Sequence, residues 1–460
     1  MDTKKLRQKI LDLAIHGKLV PQDPTDEPAS VLLERIKAEK ERLIKEGKIK
    51  RSKKSAKTSD TPHYENVPFE LPNSWVWCRL EDIAYVASGS TPDKTCFVEN
   101  GVPYIKMYNL RNQKIDFAYH PQYITEEVHN GKLQRSRTEV GDLIMNIVGP
   151  PLGKLAIIPT TLPQANFNQA AVLIRPYKFK EVLVSYLKVY LEEMSEINSI
   201  ATRGSAGQVN ISLTQSQNMR IPIPPLNEVR RIIEEVSKYD ILIDSLKQNI
   251  TDIQNLIAYT KSKILDLAIH GKLVPQDPND EPAIELLKRI NPDFTPCDNG
   301  HYPQLPDSWC VAPMQTLCSL NDGEKQKNIE RINLDVKYLR GERDAKMLSA
   351  GKFIAANSLL ILVDGENSGE VFRTPIEGYQ GSTFKQLTIN SHVNTDYVLQ
   401  VINLHRKILR ENKIGSAIPH LNKKLFKAIE VPIPPYSEQK RIVKAVNLTF
   451  KQLDAITESL

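Results

Sequence analysis

Turns that pair glycine or hydroxyl residues with bases are the chemistry to weigh first in this sequence. VASGSTPDK carries Ser88, Gly89, Ser90, Thr91 and Lys94, and VPYIKMYNL carries Lys106. IVGPPLGK brings Gly149, Gly153 and Lys154 close together, and ATRGSAGQ does the same for Arg203, Ser205 and Gln208. Later in the chain NDGEKQK holds Lys325 and Lys327, YLRGERD holds Arg340 and Arg343, and IGSAIPH holds Ser416 and His420. Backbone N–H groups, hydroxyls and cations of this kind donate to phosphate oxygens, while Arg, Gln and Asn can read base edges. Taken singly, each is more often an ordinary surface turn.

Motifs for catalysis are missing. GPPLGK has one residue too few between its glycines for a phosphate-binding loop, and Leu155 stands where Ser or Thr is required. NPDF, Asn291 to Phe294, has Asp293 where an amino-methyltransferase needs a second proline, and no glycine-rich cofactor turn precedes it. SEQK, Ser437 to Lys440, offers a Glu-x-Lys at a helix start with no upstream Pro-Asp partner. The cysteines are Cys78, Cys96, Cys297, Cys310 and Cys318; the count is odd and no C-x-x-C pair occurs, which argues against a disulfide framework and a zinc site. The reading is a non-catalytic chain without a metal or cofactor of its own.

The elements that position these turns are organised by a duplication. KILDLAIHGKLVPQDP occurs at Lys9 to Pro24 and again, without a change, at Lys263 to Pro278. LPNSW at Leu71 to Trp75 answers LPDSW at Leu305 to Trp309, and IPIPPLNEVRRI at Ile221 to Ile232 answers VPIPPYSEQKRI at Val431 to Ile442. The intervening stretches diverge. Two copies suggest a pseudo-twofold molecule and not a solenoid, which needs at least three. The expected segments are 1–61, a conserved helical region with a basic linker; 62–224, a first variable unit; 225–299, a central conserved helix region; 300–434, a second variable unit; and 435–460, a conserved terminal helix.

From Val229 the apolar positions run Val229, Ile232, Val236, Tyr239, Ile243, Leu246, Ile250, Ile253, Ile257, Thr260, Ile264 and Leu267. Spacings of 3 and 4 alternate without a break, as in a heptad seam, and only Thr260 violates it. Gly271 and Pro275 supply the stop. After Pro435 the seam recurs in Ile442, Val446, Leu453, Ile456 and Leu460, and the N-terminus continues it with Leu6, Ile10 and Leu13. Together the termini rebuild the long helix, missing only the counterpart of residues 251–254. This predicts two long antiparallel helical arms in a closed, pseudo-symmetric cyclic arrangement; a coiled coil paired with another protein's helix is the alternative. The variable units mix short β-rich runs with one helix each, near Val182 to Ile197 and Asp396 to Leu409, so the fold class is α+β. A run holding Lys48, Lys50, Arg51, Lys53, Lys54 and Lys57 reads as a disordered linker.

Net charge is +6 and the pI is near 8.8, compatible with a nucleic-acid partner without establishing one. No apolar run is long enough to span a membrane, and the N-terminus lacks a secretory cleavage pattern, so a cytoplasmic location is expected.

Two variable units, each opened by L-P-x-S-W and closed by P-I-P-P-x-x-E-x-x-R-I, with long helices and a duplicated conserved segment, resemble the specificity subunit of type I restriction-modification enzymes. The closing motif is carried by Pro224, Pro225, Glu228 and Arg231, and by Pro434, Pro435, Glu438 and Arg441. The resemblance implies that each unit is a target-recognition domain for one half of a split DNA sequence. It implies helices that act as a ruler and as docking surface for two modification subunits, with S-adenosylmethionine, and two restriction subunits, with ATP and Mg. DNA contacts do not transfer residue by residue, because the recognition units are the variable part. The candidates remain the turn residues named above. The competing reading is a coiled-coil protein-interaction scaffold that binds no DNA.

Overall fold

The structure, a computed structural model, describes residues 2–51, 69–149, 152–197, 209–297, 302, 304–414 and 420–460. The basic run beyond Arg51 lies outside the described residues. The chain divides into two compact units, Asp2–Gln248 and Asn249–Leu460.

The first unit opens with helix α1 (Thr3–Ile15), whose first N–H groups are capped by the Asp2 carboxylate. Helix α2 (Ala29–Lys45) follows. Strand β1 (Val76–Arg79) leads through a one-turn helix, Leu80–Ile83, into β2 (Ala84–Ser88). With β3 (Leu143–Asn146), β4 (Leu155–Ile157) and β5 (Ala171–Pro176) it forms an antiparallel sheet in the order β4-β3-β5-β2. The run AVLIRP in β5 is apolar at successive positions because both faces are covered. Val172 and Ile174 pack with helix α3 (Lys180–Ile197), while Ala171 and Leu173 face a second cluster with Ile105 and Phe167. Strand β6 (Arg220–Ile223) pairs antiparallel with β1, Val76 opposite Ile223 and Arg79 opposite Arg220. The opening and closing motifs are therefore neighbours. Helix α4 then runs unbroken over Leu226–Ile269.

The second unit repeats this plan. Helix α5 (Ala283–Ile290) precedes β7 (Cys310–Pro313), a one-turn helix (Met314–Leu317) and β8 (Cys318–Asn321). Strands β9 (Glu324–Leu334) and β10 (Met347–Ile354) follow, then β11 (Leu359–Leu362), β12 (Val371–Arg373), β13 (Gly378–Gln380) and β14 (Phe384–Ile389). The main sheet has the order β8-β14-β11-β12, which is the first unit's order with β8 in the place of β2. The units differ in that β9, β10 and β13 close a small barrel here. Helix α6 (Thr395–Glu411) covers the sheet, β15 (Glu430–Ile433) pairs with β7, and α7 (Tyr436–Ser459) ends the chain.

The predicted seam is only partly buried. Val229, Ile232, Val236 and Ile243 are covered within the first unit, where α1 runs antiparallel to α4: Asp26 pairs with Arg231 at 2.6 Å and Arg7 with Asp240 at 2.9 Å. Ile257 and Ile264 are covered too, and in the second unit α7 lies beside α4. There Asp280 pairs with Arg441 at 2.6 Å, and Lys261 contacts Asp454 and the Phe450 ring. Leu246, Ile250 and Leu267 are half-buried. Ile253 corrects the expectation: it is exposed.

Candidate nucleic-acid interface

The duplicated residues build a joint. Glu228, at the start of α4, is 1% exposed and accepts the Trp75 indole N–H at 3.0 Å and the Gln22 amide at 2.5 Å. Gly17 turns the chain after α1 with φ +65°, and a Cβ there would lie 2.6 Å from Pro72. The second unit repeats each contact: Glu438 accepts from Trp309 at 3.0 Å and Gln276 at 2.6 Å, and Gly271 (φ +66°) leaves 2.6 Å to Pro306. Tyr186 donates to the Pro222 carbonyl at 2.7 Å and Tyr397 to that of Pro432 at 2.6 Å, so the covering helix is tied to the closing strand. Burial raises the pKa of both glutamates, opposed by the tryptophan and glutamine donors. Glu438 of the SEQK segment is thus committed to a structural acceptor role.

Antiparallel pairing carries the candidate turns of the first unit to one end of its sheet. Ser88 lies opposite Val172, Asn146 opposite Ala171, and Leu155 opposite Met145, so the turns at Ser88–Thr91 and Gly153–Lys154 emerge at the same end of the sheet, from its two edge strands. Gly89 is obligatory there, since a Cβ would sit 2.1 Å from the Asn168 carbonyl oxygen. Arg135 donates to the Ser90 hydroxyl at 2.8 Å, and the Tyr104 hydroxyl donates to the Ser90 carbonyl at 2.9 Å. Thr91 donates to Gln169. The Lys106 ammonium lies 5.5 Å from the Phe97 ring centre, and that ring meets Tyr104 edge-on. Lys94 is exposed in a single 3-10 turn capped by Asp93. The Lys154 backbone N–H donates to Asn146 at 2.5 Å. Arg203, Ser205 and Gln208 lie outside the described residues.

In the second unit the same sheet end is charged. Asp322, just past β8, accepts from Lys385 at 2.6 Å, Lys352 at 2.9 Å and Gln380 at 3.0 Å. Those donors, Lys385 first, hold its carboxyl far below the usual range. Lys325 and Lys327 are exposed on β9. His420 bridges to Asp364 at the end of β11, with its Nδ1 2.6 Å from the carboxylate. Arg340 pairs with Glu370 and lies over the Phe372 ring, and Arg343 pairs with Asp335. Ser416 lies outside the described residues.

Sequence reasoning missed Arg135, Gln169 and Tyr104 in the first unit, and Asp322, Lys352 and Lys385 in the second. One signal was available: Gly323 follows β8 as Gly89 follows β2, and each has a backbone oxygen 2.1 Å from where its Cβ would be. Among the described residues no group of His, Cys, Asp and Glu could hold a metal ion, and no helix is long and apolar enough to cross a membrane.

Two units of one strand order, each with polar turns gathered at one sheet end and fixed by the same joint, define a duplicated α+β protein. The family described as "Type I restriction modification DNA specificity domain" matches residues 72–255 and 308–459, and the chain belongs to it. The type I restriction enzyme EcoEI specificity subunit of Escherichia coli is 33% identical over 335 residues, covering 62% of this chain and 54% of the relative. The EcoAI specificity subunit, also of Escherichia coli, is 34% identical over 334 residues, covering 62% and 55%. The chain thus spans about half the length of these curated relatives. A chain solved in work on complex assembly and conformational transition of the type I R-M system matches 85% of this chain and 94% of its own length. Its TM-score is 0.57 at 18% identity, a likeness of fold.

Proposed function

We propose that this chain is a DNA-sequence specificity subunit of a type I restriction-modification enzyme, with one unit for each half of a split target. The observation that supports this most is the repetition of one strand order beneath two chemically different loop ends. The scaffold is constant where the joint is, and variable where bases would be read. In this reading the chain is non-catalytic and acts in the cytoplasm. Two modification subunits bring S-adenosylmethionine, and two restriction subunits bring ATP and Mg. The exposed Ile241, Leu242, Leu256 and Tyr259 of α4 suit docking of those partners. The test exchanges residues 62–224 for the matching stretch of another family member, with the modification subunits co-expressed, and maps methylated adenines. One half of the target should change. If both halves change together, the assignment of one unit to one half-site is wrong.

A further inference from the structure

The second unit carries a charge pattern that its own folding does not require. Lys325 in β9 lies directly opposite Lys352 in β10. Like charges directly opposite on paired strands are destabilising. Side chains alternate along the pair, and Gly351, opposite Gln326, has the Tyr379 ring 2.6 Å from where a Cβ would be. The Gln326 face therefore turns into the barrel, and Lys325, Lys327 and Lys352 face outward. Glu324 precedes Lys325 on the alternate face. Asp322 is held between Lys352 and Lys385, and Lys325 stands opposite Lys352 on the paired strand. At the matching described positions of the first unit, Ser88 stands where Asp322 does, and Val172 lies opposite it as Lys385 would.

We propose that Lys325, Lys352 and Lys385 form a clamp for duplex-DNA backbone phosphates, with Asp322 as the positioning residue that holds Lys352 and Lys385 beside one another. The clamp rests on the DNA-specificity reading. It assigns the second unit a set of phosphate contacts that contributes to counterion release. Phosphates carry no sequence information, so the clamp contributes hold and register, not base choice.

The test measures binding of the full chain to short random-sequence duplexes between about 50 and 200 mM salt. Each lost phosphate contact lowers the slope of log affinity against log salt by about 0.9, so K325A/K352A/K385A should lose about 2–3 in slope, equally on every sequence. K325A alone, an exposed change that threatens no packing, should lose about 0.9. A control, K288A/K407A/K451A, removes the same charge from exposed helix positions and should keep the wild-type slope. An unchanged slope in the folded triple variant overturns the clamp, and so does an equal loss in the control. Failure of the wild-type chain to bind any duplex would instead remove the specificity reading beneath it.

Discussion

Glu228→Ala is the sharpest test of the joint. It removes the acceptor of two donors, the Trp75 indole and the Gln22 amide, inside a site where Glu228 is 1% exposed. Each buried donor left unpaired costs about 1–3 kcal/mol, so the gross loss is about 2–6 kcal/mol. Burial already disfavours this carboxylate, as its raised pKa records, and removing it returns part of that cost. A net loss of about 2–4 kcal/mol remains. In a unit the size of Asp2–Gln248, 1 kcal/mol moves the melting temperature by about 2–4 °C, so the drop should be about 5–15 °C. Calorimetry of the full chain gives the magnitude, and hydrogen exchange gives the place. Protection should fall in residues 16–28 and 220–236 and persist in 430–446, and Glu438→Ala should reverse the pattern. A shift below about 2 °C, or equal loss of protection at both joints, refutes the account.

Other outcomes follow from the same contacts. Tyr186→Phe and Tyr397→Phe leave the buried carbonyls of Pro222 and Pro432 without their donor and should each cost about 1–2 kcal/mol, read as a lower urea midpoint at unchanged m. The pKa of Glu228 and Glu438 is raised on folding, so the folded chain takes up these protons before the unfolded chain does. Stability from these groups should therefore grow as pH falls through the folded pKa and level off below the unfolded one, a gain that E228Q/E438Q abolishes. Asp322 runs the other way: its carboxyl is lowered, so its contribution is lost as pH falls through the folded value, and D322N should flatten that limb.

The scaffold could be read from the sequence because it is built from local periodicity and an internal copy. The 3-and-4 spacing from Val229 to Leu267 located α4, whose bounds are Leu226 and Ile269, and Gly271 marked its stop at positive φ. The helices expected near Val182 and Asp396 are α3 and α6. Periodicity carries no information on what covers a seam, and Ile253 shows the consequence. The loop ends were reached only halfway. Turn chemistry flags Ser90 or Lys325 from neighbouring residues, but Asp322, Lys352 and Lys385 come from separate parts of the chain, and register alone brings them together. The partners of Arg340 and Arg343, Glu370 and Asp335, are likewise set by the fold and not by spacing.

Identical joints raise a problem of mispairing. The strap carrying Gln22 fits the socket of Glu228, and the strap carrying Gln276 fits that of Glu438, yet the straps match residue for residue and so do the socket groups. The acceptor of this kind nearest to Gln276 in sequence is Glu228, not Glu438. Seating of Gln22 against Glu438 is barely discouraged by chain entropy, since doubling a loop costs only about 0.6 kcal/mol. The flanking charges do not separate the sockets by sign: Arg7 meets Asp240 and Glu192 beside one joint, and Lys261 meets Asp454 beside the other. Each strap brings a cation to a carboxylate, so crossing the two fasteners, within one chain or between two, exchanges like for like.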